Sequence, residues 1–475
     1  MAIMTMRAGP PRAPPQAAAP EQDGLPPRER RAAVVTISIA IAISVLGSAI
    51  ANIALPSMAH ELHATPAETI WVVNAYQLAV TISLLPLSAM GDIAGYRRVY
   101  MAGVLAFTLA SLACGLAEDL PLLIAARVAQ GFGAAGIMSV NTALVRFIFP
   151  RAQLGRGIAT VALIVAVSAA ASPTLAGAIL AVANWHWLFI INVPFGAVAA
   201  WLALRSLPDT PKSGHRFDWA SAALNAATFG LLLIGLDGIG HGQRAAWVVA
   251  ELVVGAVAAW VFLRRQRRLA APMLPTDLFR IPIFALSVAT SVCSYAAQTI
   301  AYLALPFYFA VAGGMSQSRI GLLITPWPAV VVFIAPVAGR LSDRHPAGLL
   351  GGIGLAVMAA GLLLTLSLPP GAAFTDAMWR MAVCGIGFGF FQSPNNRALI
   401  AAAPRHRSGA ASGVISTARL TGQTIGGVIV AVIFGLFGAD IGGGVHGALL
   451  TGACCAGFAC MISFLRLRPR RPGAG

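Results

Sequence analysis

Long apolar runs alternate with short polar turns over almost the whole chain. A helix needs about 20 apolar residues to cross a bilayer, and these runs are of that length. The runs span residues 33–56, 69–89, 99–117, 121–146, 157–181, 185–205, 219–237, 246–263, 283–311, 318–339, 348–368, 378–402, 408–438 and 445–465. The pattern predicts an all-α polytopic membrane protein with 14 transmembrane helices.

The basic residues report how these helices are oriented. Of 32 Lys and Arg, 27 lie in the tails and every second turn, three lie in the other turns, and two lie inside predicted helices. Basic residues accumulate on the cytoplasmic side of membrane proteins. We therefore expect an inner (plasma) membrane protein with both termini in the cytoplasm. The same alternation explains the net charge of +16 without a nucleic-acid partner.

Composition narrows the class of protein further. Hydrophobic residues make up 58% and charged residues 10%, with a mean hydropathy of +0.80, whereas soluble domains are about 25% charged. The single lysine, Lys212, follows Pro211, so no Walker A loop for ATP is present. The six cysteines lie in apolar runs without a CxxC pair, and His60 and His63 lie alone in a polar turn. We expect no cofactor and no metal.

Two turns repeat one pattern, which divides the chain. In the first turn, Asp92 follows a Pro-containing helix and precedes Arg97. In the second, Asp343 and Arg344 follow a helix that contains Pro336. This predicts two six-helix halves, 33–206 and 283–466, with two inserted helices and a basic linker at 207–282. Residues 1–32 are predicted to be a disordered tail and 467–475 a cytoplasmic tail. Duplicated halves place a binding cavity at their interface near the membrane midplane.

Four motifs carry a resemblance to a known family. They occupy residues 88–98, 123–134, 185–194 and 339–344 in order along the chain. Together they resemble the Major Facilitator Superfamily, specifically its fourteen-span drug:proton antiporter branch. The resemblance implies secondary active export of small amphipathic organic molecules in exchange for protons, by alternating access.

Two positions depart from that branch. Gly47 occupies the place of a membrane-embedded Asp, and the fifth-helix motif keeps Pro173 but has Ser172 and Ala176 where glycines are expected. A proton site must therefore lie elsewhere, at Asp92 or on the substrate itself.

The resemblance and the repeat together predict a gate at the twinned turns. Its residues are Asp92, Gly95, Arg97, Arg98, Gly339, Asp343 and Arg344. Charged groups at helix ends can hold one state of a rocking transporter. We expect Asp92 to pair with Arg97 or Arg407. An ordinary solvated turn is the alternative interpretation.

Polar side chains inside the apolar runs are the candidate cavity residues. Ionisable residues at membrane depth are costly and mark functional sites, and Arg127 and Arg419 are two of them. The full set is Asn52, Asn74, Gln77, Arg127, Gln130, Pro173, Tyr295, Gln298, Tyr302, Gln392, Asn396, Arg419 and Gln423. The alternative interpretation of the amides is that they only join helices by hydrogen bonds. No acid lies mid-span in the twelve core helices, which predicts neutral or anionic substrates.

Two other functions stay open at this stage. One is a membrane-embedded enzyme acting on lipid-linked substrates, although the turns on the outer side are too short for a soluble catalytic face. The other is a sensor of transporter origin that transports nothing. We expect a transporter and not an enzyme, whose partners are a small molecule, protons and the bilayer.

Overall fold

The computed structural model is entirely helical over the residues it describes, 23–213, 216–240, 242–269, 272–311, 313–369, 373–404 and 408–467. The α-helices are α1 Pro27–Ala49, α2 Ala51–Glu61, α3 Pro66–Ala94, α4 Tyr96–Gly115, α5 Leu120–Ile148, α6 Leu154–Val182, α7 Trp187–Ile190, α8 Asn192–Ser206, α9 Trp219–Gly240, α10 Ala245–Gln266, α11 Pro282–Val311, α12 Gln317–Ile324, α13 Pro326–Leu341, α14 Ala347–Leu366, α15 Phe374–Ala402, α16 Ser408–Phe437 and α17 Ile441–Leu465. Most of the predicted tails, 1–22 and 468–475, lie outside the described residues.

Thirteen helical segments in the described ranges are long and apolar enough to cross a membrane. The predicted span at 378–402 is not among them, although α15 is a helix of 29 residues. Its polarity is the reason, because Arg380, Gln392, Asn395 and Arg397 interrupt the apolar sequence. The all-α membrane fold is confirmed, and the number fourteen stays a prediction.

Three helix boundaries differ from the predicted ones for local reasons. The first helix begins at Pro27, inside the predicted tail, because proline is favoured in the first turn of a helix. The first predicted span is divided at Ile50 into α1 and α2. The span at 318–339 is divided at Thr325, where Pro326 begins α13.

Close helix packing inside each half depends on small residues. A Cβ on Gly133 would lie 2.3 Å from the backbone nitrogen of Phe107, so α4 and α5 approach backbone to backbone. In the second half, a Cβ on Gly387 would lie 2.4 Å from the backbone nitrogen of Met358 on α14. Helices in a membrane associate through such small-residue contacts.

The inserted helices pack along the seam between the halves. Asn225 on α9 donates to the carbonyl of Ile82 on α3 over 2.7 Å, and Asp237 accepts from Trp71 Nε1 over 3.0 Å. On the other side of the seam, Gly240 lies against the backbone of Val432 on α16. The pair therefore contacts one helix of each half through α9, and α10 packs on α9.

The halves also touch directly. The helix α3 packs on α16, where the Thr81 and Thr424 hydroxyls lie 3.1 Å apart, and further contacts lie toward the end of the bundle that carries the Leu62–Thr65 turn. We call this the His63 end and the opposite one, with the turn at Gly95, the Asp92 end. At the His63 end α6 packs on α12, and the Thr174 and Thr325 hydroxyls lie 2.7 Å apart. The helix α2 packs on α11, whereas α1, toward the Asp92 end, packs on α5, α6 and α8 of its own half.

Candidate substrate site and gate

Arg127 lies at the centre of the first half, and no carboxylate of the described residues lies beside it. Its side chain on α5 is fully buried. Its Nε donates to the carbonyl of Val72 over 2.8 Å, and its Nη1 donates to the carbonyl of Gly47 over 2.9 Å and to Gln130 Oε1. The guanidinium carbon lies 4.2 Å from the centre of the Tyr76 ring. Every one of these partners is uncharged, and the buried Nη2 has no hydrogen-bond partner among the described residues.

Gly47 stands directly beside this guanidinium, which is where the resembling family has its acid. A Cβ at this position would lie 2.9 Å from Cζ of Phe107. The space that a carboxylate would need is therefore filled by an aromatic ring. The loss of the acid and the burial of Phe107 belong to one local arrangement.

Arg419 approaches the same tyrosine from the second half. It lies on α16, is half-buried, and is close enough to the hydroxyls of Tyr76 and Tyr295 to interact with them electrostatically. Its buried Nε has no hydrogen-bond partner in the part of the chain that the structure describes. Tyr295 also accepts from Gln392 Nε2 over 2.9 Å. Tyr76 of the first half and Arg419, Tyr295 and Gln392 of the second half thus lie near one another where the halves face each other.

A second aromatic group lies further along α11. The rings of Tyr302 and Trp327 pack edge to face with centroids 5.1 Å apart, and the Gln298 side chain lies beside the Tyr302 hydroxyl. Trp327 Nε1 is buried and without a hydrogen-bond partner among the described residues. Sequence reasoning missed Trp327, whose only signal was an aromatic residue between two prolines.

The remaining predicted cavity residues fall into two groups. Asn74 and Gln77 are buried on α3, and Asn74 packs against Gly427 of α16, while Pro173 packs against Gly321 of α12. Asn74 and Pro173 therefore lie at contacts between the halves. The other three, Asn52, Asn396 and Gln423, are half-buried on separate helices. The structure records no hydrogen bond that joins them to Arg419 or Tyr295.

Of the two partners predicted for Asp92 at the first gate turn, Arg97 is wrong. Asp92 accepts a hydrogen bond from the Tyr96 hydroxyl, and Arg97 instead pairs with Asp209 over 3.1 Å. The segment after α8 causes this, because it crosses the turn: the backbone nitrogen of Ser213 donates to the Asp92 carbonyl over 2.7 Å. The other predicted partner, Arg407, lies outside the described residues.

Backbone geometry fixes this turn in place. Gly95 has a φ of +97°, a region that side-chain-bearing residues rarely adopt, and it lets α4 begin directly after α3. The backbone nitrogen of Tyr96 then donates to the Thr210 hydroxyl over 2.9 Å. Arg98, next in the predicted gate set, is exposed.

The twin turn in the second half has an ion pair of its own. Asp343 accepts from Arg397 on α15, which also donates to the Ser342 hydroxyl over 3.1 Å. Gly339 lies one turn earlier, and Arg344 is exposed. Each turn therefore links its half's helices through an Asp, but with different partners.

A buried polar cluster near the Asp92 end was missed entirely. Arg466 follows α17 and donates to Ser287 Oγ over 2.9 Å and to Asn395 Oδ1 over 2.7 Å. Asn395 in turn donates to Ser291 Oγ over 2.8 Å. Burial lowers the pKa of Arg466 to about 10, so it stays protonated at neutral pH. Its place directly after the last apolar run indicated only a basic residue on the cytoplasmic side.

Comparison with known proteins identifies the family. A sequence profile described as Major Facilitator Superfamily matches residues 37–427. The chain belongs to the Major Facilitator Superfamily. It is 51% identical over 456 residues to the uncharacterized transporter YebQ of Escherichia coli (strain K12), which covers 96% of this chain and 99% of that protein.

More distant relatives carry functional names. Multidrug resistance protein Stp of Mycobacterium tuberculosis is 31% identical, covering 82% of this chain and 73% of Stp. Riboflavin transporter RibZ of Clostridioides difficile is 29% identical, covering 84% and 87%. Among solved structures, a peptide transporter POT in complex with sulfate aligns with a TM-score of 0.70 at 13% identity, covering 93% and 94%. That likeness supports the fold alone. The chain is thus a polytopic membrane protein of a transporter family.

Proposed function

We propose that this protein is a secondary active transporter that exports small amphipathic organic molecules in exchange for protons. It would lie in the inner membrane with both termini in the cytoplasm. The observation that carries the proposal is that Arg419 lies near Tyr295 of its own half and near Tyr76 of the other half. The two halves contact each other along α3 and α16 and, toward the His63 end, through α6 and α12. A site formed by both halves changes its access when the halves rock.

The division of the chain follows from the same proposal. Residues 33–206 and 283–466 are the two rocking halves, and 207–282 holds the inserted helices and the linker. The linker rests on the turn that contains Asp92, through Thr210 and Ser213. Any motion of that turn must move the linker with it.

The gate consists of the two Asp-containing turns. Its residues are Asp92, Gly95, Arg97 and Arg98 in the first half and Gly339, Asp343 and Arg344 in the second. Asp209 of the linker pairs with Arg97, and Arg397 pairs with Asp343. Ion pairs between exposed side chains are individually weak, at about 0–1 kcal/mol, so they can break and form during a cycle.

Names of relatives support the kind of substrate. Stp is named a multidrug resistance protein and RibZ a riboflavin transporter. Both names refer to small organic molecules. Proton coupling rests on the resemblance to the antiporter branch. Because Gly47 replaces the usual acid, the proton is carried at Asp92 or by the substrate itself.

Counterflow in proteoliposomes tests the proposal. A growth-inhibition panel of cells that overexpress the protein first selects a compound, and its labelled form is then exchanged across liposomes containing purified protein. Saturable exchange without any chemical change supports a transporter. Conversion of the compound would indicate an enzyme, and binding without exchange would indicate a sensor.

A further inference from the structure

We propose that the site between the halves binds the negatively charged group of an amphipathic organic anion, with Arg419 as the residue that contacts it. The inference rests on the proposed transport function and adds the class of substrate. It also commits to anions, where the sequence left neutral molecules open.

The distribution of acids is the first argument. In the described helices outside the inserted pair, every Asp or Glu lies in the first or last turn of its helix. These residues are Glu29, Glu61, Glu68, Asp92 and Asp376. Asp237 and Glu251, in the inserted helices, lie at the seam and against Gly235. No carboxylate in the described ranges is therefore placed to neutralise Arg127 or Arg419.

The second argument is the grouping of the two cations. Arg127 and Arg419 come from opposite halves, yet both interact with the ring or hydroxyl of Tyr76. Two like charges near one ring raise the local positive potential, and a low-dielectric surrounding strengthens its effect on a ligand. An organic cation would be repelled there, whereas an anion would offset the potential.

Burial assigns different roles to the two arginines. Arg127 is fully buried, and its Nε and Nη1 are bonded to two carbonyls and an amide, while its Nη2 has no partner among the described residues. Because no part of its side chain is exposed, it contributes potential without touching a ligand. Arg419 is half-buried, and its Nε has no partner in the described part of the chain. A buried donor without a partner is destabilising, and a bound anion would satisfy it.

Neighbouring groups fit the rest of such a ligand. Tyr295 accepts its hydrogen bond from Gln392, which leaves the hydroxyl hydrogen free to donate to an anion. Its ring packs edge to face on Phe388 with centroids 5.3 Å apart, which adds apolar surface. A carboxylate or sulfonate on an aromatic or aliphatic body matches this combination of donors and rings.

Binding of two dyes that share one ring system tests the proposal. Sulforhodamine B is anionic and rhodamine 6G is cationic, and their fluorescence anisotropy is measured with purified full-length protein against protein-free micelles. We expect the wild type to bind sulforhodamine B at least about tenfold more tightly. Arg419→Gln should weaken that binding about tenfold or more, since hydrogen bonds to charged groups are among the strong ones. Arg419→Lys should retain most of it.

The control removes one positive charge elsewhere. Arg319 is exposed near the His63 end, and Arg319→Gln should bind both dyes as the wild type does. Equal or tighter binding of rhodamine 6G by the wild type, binding of neither dye, or unchanged binding by Arg419→Gln overturns the proposal. Because the wild-type comparison needs no variant, misfolding of Arg419→Gln does not obscure the outcome.

Transport separates this inference from the function on which it rests. Selective binding of sulforhodamine B without movement across liposomes would support the anion site and contradict the transporter. Movement of rhodamine 6G alone would support the transporter and contradict the anion site.

Discussion

A methyl group at Gly321 should prevent the two halves from closing at the His63 end. Gly321 on α12 faces α6, and a Cβ there would lie 2.4 Å from the Pro173 carbonyl oxygen and 3.0 Å from Cα of Gly177. Both obstacles are backbone atoms, which cannot turn away as a side chain can. Gly321→Ala therefore acts as a wedge between the halves.

The distances give the size of the effect. An ordinary contact begins at 3.4 Å, so the helices must separate by about 1 Å at this point. Overpacking of this kind costs about 1–3 kcal/mol, which lowers the population of the closed arrangement roughly 5- to 150-fold.

Disulfide formation between the halves measures that population. The hydroxyls of Thr174 and Thr325 lie 2.7 Å apart, so cysteines at both positions should cross-link when this end is closed. In a background with the native cysteines changed to serine, Gly321→Ala should slow the cross-link at least about fivefold. Gly457→Ala is the matched control, because nothing lies within 4 Å of its added Cβ. An unchanged cross-linking rate in Gly321→Ala would refute the reasoning.

Three further predictions concern the gate, the buried cluster around Arg466 and the inserted helices. Asp92→Asn should leave the protein folded and membrane-inserted but reduce the initial export rate about tenfold; normal export by well-expressed protein would contradict the gate. Asn395→Ala should lower the free energy of unfolding by about 1.5–3 kcal/mol, since it removes a charge-assisted bond to Arg466, and denaturant unfolding checks this. Trp71→Phe removes the bond to Asp237 and should cost about 1 kcal/mol in the same assay. Its transport rate should be unchanged if the inserted helices lie outside the substrate path.

The helices were largely predictable because each depends on a local property. An apolar run of about 20 residues is recognisable in the sequence without knowing what it packs against. The division at Ile50 was not, because the run continues through it. The helix α15 shows the opposite case, since its polar residues include Asn395 and Arg397, whose partners Arg466 and Asp343 are supplied by other helices and turns.

Site residues were predictable where the free-energy cost of placing them in the membrane is high enough to mark them in the sequence. Arg127 and Arg419 stand out in the sequence, because an arginine inside an apolar run is expensive. Tyr76 does not stand out, since tyrosine is ordinary in a membrane helix. Its position between Asn74 and Gln77 was the only signal. That Arg419 lies near its hydroxyl depends on packing between the halves. Asp209 was missed as a partner of Arg97 because this pairing depends on how the segment after α8 folds back on the turn.

Transport under a pH gradient alone tests the central claim most directly. Liposomes containing the purified protein are given a pH gradient in the absence of ATP, and accumulation of the labelled compound from the growth panel is followed. The proposed exchange predicts accumulation above equilibrium in the direction opposite to proton flow, abolished when nigericin collapses the gradient. Accumulation that is unaffected by collapse of the pH gradient would contradict proton-coupled export.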